Sequence, residues 1–196
     1  ADTFLPAVVA AAIDYNDDVR ELVVTFDETI HVSATDPALF HVNDVTGTDR
    51  GDTTLTGATV NTVMNSPVVT ITIKEVQRIA ALARSGVPGG DGSQNVLDVD
   101  AGAVTDMGTN AIATNDYTNL TETGDTKHPN IVKGDMDYND NPQLNGKNCR
   151  LVVEWDEIVD ASSVNASMYH IVDASETTDP DLRVTLDGAT ADLGAT

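Results

Sequence analysis

An internal repeat constrains this chain more than any other feature of its sequence. Residues 13–30 read IDYNDDVRELVVTFDETI, and residues 136–159 read MDYNDNPQLNGKNCRLVVEWDEIV. Each copy has an acidic DYND turn, then a run of alternating apolar residues, then an acid-rich exit. Leu22 and Leu151 lie 129 residues apart and mark the same position in the two copies. The second copy has a six-residue insertion in its acidic turn.

The repeat continues beyond these two segments. Phe40 and Tyr169 are again 129 residues apart, and each is followed by a histidine and a β-branched residue. The stretch TLTGAT at 54–59 returns as TLDGAT at 185–190. A repeat of this length corresponds to a whole domain and not to the short unit of a solenoid, so we predict two related domains in tandem.

Apolar and polar residues alternate in both copies, which is the pattern of a strand with one face on a core. Val69, Ile71 and Ile73 have the same spacing and predict a central strand. Frequent Val, Ile and Thr, with turn residues at short intervals, favour an all-β sandwich over a disordered acidic chain. The inward-facing residues of the repeated strand are predicted to be Leu22, Val24 and Phe26 in the first copy, and Leu151, Val153 and Trp155 in the second.

One segment departs from the β pattern. In residues 74–84, KEVQRIAALAR, the apolar residues follow helical spacing, and we predict a short helix that crosses between strands. The predicted organisation is therefore a first module at 1–118, a linker at 119–130 and a second module at 131–196.

The second copy has no counterpart of residues 67–113 within this sequence. A sandwich without those strands has an open edge and an uncovered core face. We therefore expect either a longer repeat array or a neighbouring subunit to complete it. The apolar, small-residue-rich segment 1–12 is the expected strand donor in such self-association. On that expectation, a chain without residues 1–12 keeps its first module folded and no longer polymerises.

The charge balance limits the classes of partner. Lys and Arg total 10 against 32 Asp and Glu, for a formal net charge of -22. Phosphate backbones require the opposite sign, so we predict that the chain does not bind nucleic acid. No apolar run in the sequence is long enough to cross a bilayer. The start at Ala1 rather than Met favours a processed secreted protein or an excised fragment.

The two acidic turns are the strongest candidates for binding chemistry. Short oxygen side chains at alternate positions of a turn suit a hard cation such as calcium. The alternative is a plain hairpin turn, which Asn and Asp favour because their side chains stabilise tight turns. The predicted metal ligands are Asp14, Asn16, Asp17 and Asp18 in the first turn, and Asp135, Asp137, Asn139, Asp140 and Asn141 in the second.

The position of the first turn in a sandwich suggests how calcium would act. When the first two strands are antiparallel, the turn between them lies at the end where the chain leaves the module. We therefore expect this turn beside residues 114–130, where Glu122 and Asp125, with Asp160 of the second module, complete the oxygen shell. Calcium there would reduce repulsion between carboxylates and stiffen the joint between modules.

Other candidate residues have less specific signals. Two glycosylation sequons begin at Asn119 and Asn165, in polar segments expected on the surface. His41 and His170 occupy equivalent strand positions and are expected to face solvent. The sequence contains no Ser-His-Asp set, and its single cysteine, Cys149, has no activating histidine near it in sequence. We therefore predict that the chain is not an enzyme.

Four segments of the first copy resemble a known family. Their order, FDETI, PALFHV, VVTITIKEVQRIAAL and LDVDAGAVTDMGTNAI, is similar to that of bacterial Ig-like repeats in large cell-surface proteins. Such proteins include surface-layer proteins, adhesins and extracellular filaments. The resemblance covers residues 5–113 and, as an incomplete second copy, residues 131–193. It implies tandem Ig-like β-sandwich modules with a structural or adhesive role, and it implies no catalytic residues.

The leading interpretation is a structural module of a secreted cell-surface assembly, stiffened by calcium and self-associating into a polymer or lattice. One alternative is an adhesin module that binds carbohydrate or a host protein, and another is a non-catalytic accessory domain of a secreted enzyme. An adhesin is expected to cluster exposed aromatic side chains at a loop end. The one Trp and four Tyr are not clustered in the sequence, which favours the structural interpretation.

Overall fold

The computed structural model describes residues 2–44, 53–137, 150–160, 163–171 and 184–185. They belong to two compact units, Ala1–His128 and Pro129–Thr196. Each unit has its own strand pairing, and the architecture is mostly β.

The described part of the first unit contains eight strands and one α-helix. In chain order these are β1 (Val8–Asp14), β2 (Glu21–Ile30), β3 (Phe40–Asp44), β4 (Thr53–Thr54), β5 (Thr59–Val60), β6 (Ser66–Thr72), α1 (Glu75–Leu82), β7 (Asn95–Val99) and β8 (Asn115–Thr123). The strands form one continuous sheet in the order β4-β3-β7-β8-β1-β2-β6-β5. All pairings are antiparallel except β1 with β8, which is parallel, so the sheet is mixed.

The sheet curls so that its two halves enclose one core. In a flat sheet, β3 and β2 would lie roughly 19 Å apart, because neighbouring strands are about 4.8 Å apart and three strands separate them. Their buried side chains nevertheless belong to a single apolar cluster. That cluster includes Leu22, Val24, Val69 and Ile71 from one half, and Phe40, Val42, Leu97 and Val99 from the other. The all-β prediction is confirmed, but hydrogen bonding through β1 joins the strands into one sheet instead of two separate ones.

The predicted alternation and helix are present in the first unit. Leu22, Val24 and Phe26 are 0%, 0% and 3% exposed. The helix begins where Gln77 Oε1 accepts a hydrogen bond from the Lys74 N–H at 2.8 Å. Gln77 Nε2 also donates to the carbonyl oxygens of Thr54 and Thr56, which ties α1 to the segment after β4. No helix in the described part of the chain has the length and apolar character that crossing a membrane requires.

The described part of the second unit contains two pairs of strands. They are β9 (Ile131–Asp137) with β10 (Arg150–Trp155), and β11 (His170–Ile171) with β12 (Val184–Thr185), both antiparallel. A 3-10 turn at Ala166–Met168 precedes β11.

Strand registers repeat along with the sequence. Ile13 pairs with Leu22 in the first unit, and Met136 pairs with Leu151 in the second. His41 pairs with Thr54, and His170 pairs with Thr185. Equivalent residues are therefore paired with equivalent partners in the two copies.

Two predictions about the first module need correction. Residues 119–123, predicted as the start of the linker, lie in β8, because Leu120 is fully buried in the core and β8 pairs with both β7 and β1. Residues 8–12, predicted as part of a strand donor, lie in β1, which pairs with β2 on one side and β8 on the other. Donating this segment would remove a central strand from the first unit's own sheet.

Deletion of residues 1–12 tests the central position of β1. We expect the shortened chain to lose the cooperative thermal transition of the first unit, because β8 and β2 no longer have the strand that joins them. Circular dichroism and calorimetry measure this transition in the otherwise complete chain. Deletion of residues 2–5, whose side chains are exposed and precede β1, is the control and should retain the transition. An unchanged transition without residues 1–12 would contradict this placement.

Candidate functional site

The first acidic turn connects β1 to β2 and is fixed by its own side chains. Asp14 Oδ1 accepts hydrogen bonds from the N–H and Nδ2 of Asn16 at 2.9 and 2.8 Å. The N–H groups of Val19 and Arg20 both donate to the carbonyl oxygen of Asn16. Arg20 has a φ of 49°, in the left-handed region that non-glycine residues rarely adopt outside turns. Asp14 and Asn16 therefore stabilise the turn through local hydrogen bonds.

Residues 122–127 lie beside this turn, as the sequence predicted. Asn16 Oδ1 accepts from the N–H and hydroxyl of Thr126 at 3.0 and 2.9 Å. Lys127 Nζ lies 2.9 Å from Asp18 Oδ2 on the exposed side, and this hydrogen-bonded ion pair raises the pKa of Lys127. The turn and the end of the first unit are thus held together by protein groups.

A buried guanidinium joins the same region to the helix. Arg78 is 0% exposed, and its Nε and Nη2 donate to the two carboxylate oxygens of Glu75 at 2.8 and 2.7 Å. Its Nη1 donates to Asp125 Oδ2 at 2.6 Å and to the Tyr15 carbonyl oxygen at 2.8 Å. The hydrogen bonds that Arg78 donates to Glu75 raise the pKa of Arg78. Burial acts in the opposite direction, and the hydrogen bond to Asp125 raises the pKa further. Arg78 therefore connects α1, the acidic turn and residues 122–127.

Tyr15 makes a second buried connection at this end. Its hydroxyl donates to Glu122 Oε1 and accepts from Asn95 Nδ2, each at 2.8 Å. Burial raises the pKa of Tyr15, and the hydrogen bond from Asn95 acts in the opposite direction. Glu122 Oε2 also accepts from the Gly86 N–H at 3.0 Å. Glu122, which is also a predicted calcium ligand, links β8 to Tyr15 and to the loop after α1.

The predicted carboxylate ligands around the first turn have partners within the protein. Asp14, Asp17 and Asp18 interact with Asn16, Arg20 and Lys127 respectively. Asp125 pairs with Arg78. Calcium at this turn would have to compete with these donors, so calcium binding here stays a prediction.

The second turn is described in part. Asp135 and Asp137, predicted as turn residues, lie in β9, and the strand therefore extends further than expected. Asp135 Oδ2 lies 2.5 Å from Lys133 Nζ, and this interaction raises the pKa of Lys133. Asn139, Asp140 and Asn141 lie outside the described residues.

A carboxylate cluster that the sequence analysis missed lies at the opposite end of β1. Asp2, Glu28 and Asp106 each place an oxygen within 4.8 Å of the others. Burial disfavours the charged form of Asp106, but hydrogen bonds from the side chain and N–H of Asn110 lower its pKa. Burial and the charges of Asp106, Asp2 and Asp27 raise the pKa of Glu28. The three residues are far apart in sequence, so no local motif indicated this group.

The two sequons occupy different environments. Asn119 is exposed but lies in β8, between strands on both sides, and the next residue, Leu120, is fully buried. Asn165 is exposed and precedes the 3-10 turn, where its Oδ1 accepts from the N–H and hydroxyl of Ser167 at 3.1 and 2.8 Å. Both asparagines are on the surface, and their glycosylation stays a prediction.

The two equivalent histidines differ. His41, predicted to face solvent, is 6% exposed, because Thr54 Oγ1 and Asp100 Oδ2 lie 3.0 and 3.1 Å from its two ring nitrogens. His170 is exposed, as predicted.

The second unit contains an apolar groove with a volume of about 440 Å³. The rings of Trp155 and Tyr169 meet edge to face in it, with centroids 6.4 Å apart. No local pattern indicates this aromatic pair, because Trp155 ends β10 whereas Tyr169 directly precedes β11. Phe26 and Phe40, their counterparts in the first unit, are buried. The groove is lined by Pro129, Ile131, Trp155, Val159, Ser163, Val164, Asn165, Met168, Tyr169 and His170.

Comparisons with known proteins leave the family open. Neither a protein-family model nor a curated protein matches the chain. Among solved structures, it is similar to the N-terminal part of the bacterial S-layer protein SbsC, with a TM-score of 0.40 and 14% sequence identity. The likeness covers 67% of this chain and 26% of that one, so the chain spans about a quarter of the length of that structure. A likeness at this level does not bear on the role of this chain.

Substitution of Arg78 by methionine tests the buried connection. Arg78→Met removes the cation from between Glu75 and Asp125, and breaking a buried ion pair from one side costs about 3–5 kcal/mol. Because both carboxylates are partly exposed, we expect a loss near the lower end, about 3 kcal/mol of unfolding free energy. Urea denaturation followed by circular dichroism measures it.

The matched control is Lys127→Met, which removes an exposed ion pair with Asp18. Water screens such an exposed pair, so its loss should change the free energy of unfolding far less than the loss of Arg78. Equal stabilities of the Arg78→Met and Lys127→Met chains would show that Arg78 does not hold these segments together.

Proposed function

We propose that this chain is a non-enzymatic structural module of a secreted cell-surface assembly, built from tandem Ig-like domains that self-associate. The observation that carries the proposal is the repeat of one β module with the same strand registers, as in the pairs Ile13–Leu22 and Met136–Leu151. Repeating a whole domain supplies length and repeated contact surfaces, which serve assembly more directly than they serve catalysis.

The strand order supports an Ig-like topology. In that fold one layer contains strands A, B, E and D, and the other contains C, F and G. With β1 as A, β2 as B, β5 as D and β6 as E, the segment β1-β2-β6-β5 of the sheet follows the first layer. With β3 as C, β7 as F and β8 as G, the segment β3-β7-β8 follows the second, and β4 adds an edge strand. In this proposal β1 joins two layers that otherwise form a sandwich.

The charge supports an extracellular role without nucleic acid. A net charge of -22 keeps the surface solvated and repels phosphate backbones. Location outside the cell, and glycan attachment at the exposed Asn119 and Asn165, belong to the same proposal.

One observation favours a second candidate, an adhesin module. The Trp155–Tyr169 pair lines a groove in which a sugar ring or a peptide would find aromatic surface. The first unit favours the structural candidate, because Phe26 and Phe40 at the equivalent positions belong to the core. The groove is then an uncovered core face rather than a dedicated ligand site.

Electron microscopy of the purified chain tests the proposed role. We expect filaments, lattices or end-to-end oligomers that grow with protein concentration, since repeated modules offer repeated contacts. Size-exclusion chromatography with light scattering supplies the matching mass distribution. Dispersed monomers at every concentration would contradict an assembly role and favour the adhesin.

We also propose that calcium stiffens the joints between modules through the acidic turns. Calorimetric titration of the complete chain should detect binding at millimolar calcium, and Asp18→Asn should weaken it. Lys127→Ala should strengthen calcium binding, because Lys127 competes for the Asp18 carboxylate.

Asp137→Ala and Asp140→Ala test the second turn. Chelation of calcium should separate the assembled chains before either module unfolds. Absence of binding heat, or heat that none of these substitutions alters, would leave the turns as plain hairpins.

A further inference from the structure

The apolar groove of the second unit corresponds to a covered surface in the first. Positions 129 residues apart match between the copies, and four lining residues have counterparts at the core. These pairs are Trp155 with Phe26, Val159 with Ile30, Met168 with Leu39, and Tyr169 with Phe40. Phe26, Ile30 and Phe40 are buried, whereas Trp155, Val159 and Tyr169 are half-buried.

In the first unit, residues 97–106 cover this surface. The N–H of His31 donates to the carbonyl oxygen of Thr105 at 2.8 Å. The N–H of Asp36 donates to the carbonyl oxygen of Ala103 at 2.9 Å. On the neighbouring strand, Phe40 pairs with Val99 in an antiparallel register. Main-chain hydrogen bonds therefore dock the segment along its length.

The same segment fills the surface with small apolar side chains. Val99, Ala103 and Val104 are each 0% exposed and belong to the same core cluster as Phe26 and Phe40. Aspartates flank these residues in the sequence LDVDAGAVTD. The occupant that fits this face is thus a strand and turn with small apolar residues between acidic ones.

A histidine–aspartate contact in the first unit places one of these aspartates. His41 Nε2 lies 3.1 Å from Asp100 Oδ2 in the first unit. His170 is the counterpart of His41 and lines the groove, where it is exposed. An aspartate at the position of Asp100 would face this imidazole in the same way.

Two hydrogen bonds that frame the covered surface of the first unit recur around the groove. Asp36 Oδ1 caps its 3-10 turn by accepting from the Ala38 N–H at 3.0 Å, and Asn165 Oδ1 accepts from the Ser167 N–H at 3.1 Å. Asp156 Oδ1 accepts from the Asn130 N–H at 2.7 Å, as Asp27 does from Ala7 at 2.8 Å. A surface that is preorganised in this way loses less freedom when it binds.

We propose that this groove binds a polypeptide segment of the 97–106 type, which lies antiparallel beside β11. The segment presents small apolar residues to Trp155 and Tyr169 and an aspartate to His170. This inference names the partner chemistry of the assembly role proposed above and rests on it.

A synthetic peptide of residues 96–112 is the probe, and Trp155 is the reporter. Trp155 is the only tryptophan of the chain and lines the groove, and the peptide has no aromatic residue. We expect a saturable blue shift of Trp155 emission when the peptide is added to the complete chain.

A peptide with Val99→Asp and Val104→Asp should bind at least about tenfold more weakly, because it buries unpaired charges. Asp100→Asn in the peptide should cost up to about fivefold, as for an exposed ion pair.

Matched variants of the protein locate the binding. Val159→Asp, at a lining position, should abolish the shift, whereas Ile158→Asp, at the neighbouring exposed position, should leave it unchanged. If Val159→Asp prevents folding, the substituted peptides still decide the question on the unaltered chain.

Several results would overturn the inference. One is the absence of a shift in Trp155 emission at millimolar peptide. Another is an equal emission shift with a peptide of reversed sequence. A third is an emission shift that oligosaccharides produce without any peptide. Concentration-dependent dimers of the free chain with an already blue-shifted Trp155 would identify a second copy as the occupant instead. Assembly in the microscope without peptide binding would overturn this inference alone, whereas peptide binding without assembly would overturn the proposed role alone.

Discussion

The first unit depends on one strand that pairs on both sides. β1 is antiparallel to β2, its neighbour in sequence, and parallel to β8, the last strand of the unit. Without β1, β2 and β8 would no longer belong to one continuous sheet. The unit therefore closes only when the end of its chain reaches the beginning, and contacts of this sequence separation make a β fold slow to form. The same requirement explains why β1 cannot serve a neighbour and its own sheet at once.

Electrostatics at the closing end reinforce this connection. The chain has 10 Lys and Arg residues against 32 Asp and Glu, and one of these cations, Arg78, is buried where three segments meet. Its hydrogen bonds to Glu75, Asp125 and the Tyr15 carbonyl oxygen fix α1 and residues 122–127 against the acidic turn. Asp125, which sequence reasoning assigned to a cation from solution, is thus engaged by a cation of the chain itself.

Local patterns were predictable, and long-range partners were not. The alternation at Leu22, Val24 and Phe26, and the helical spacing in residues 74–84, depend on neighbours within a few positions, and the structure has them as predicted. The end of the first module was misplaced, because β8 is a strand only through its pairing with β7 and β1. The burial of His41 and the Asp2–Glu28–Asp106 cluster were missed for the same reason. Their partners are distant in sequence, and the polar residues around them look like ordinary surface.

The differences between the two copies are as informative as the repeat itself. Registers and capping hydrogen bonds recur, so the second copy has the same local framework as the first. At the two aromatic positions, however, Phe26 and Phe40 are replaced by Trp155 and Tyr169. Trp and Tyr combine a large apolar surface with a polar N–H or O–H, which suits a face that is partly wet before a partner covers it. Phenylalanine suits a position that the chain buries by itself. The substitutions therefore agree with an inner core in the first copy and with the interface proposed for the second.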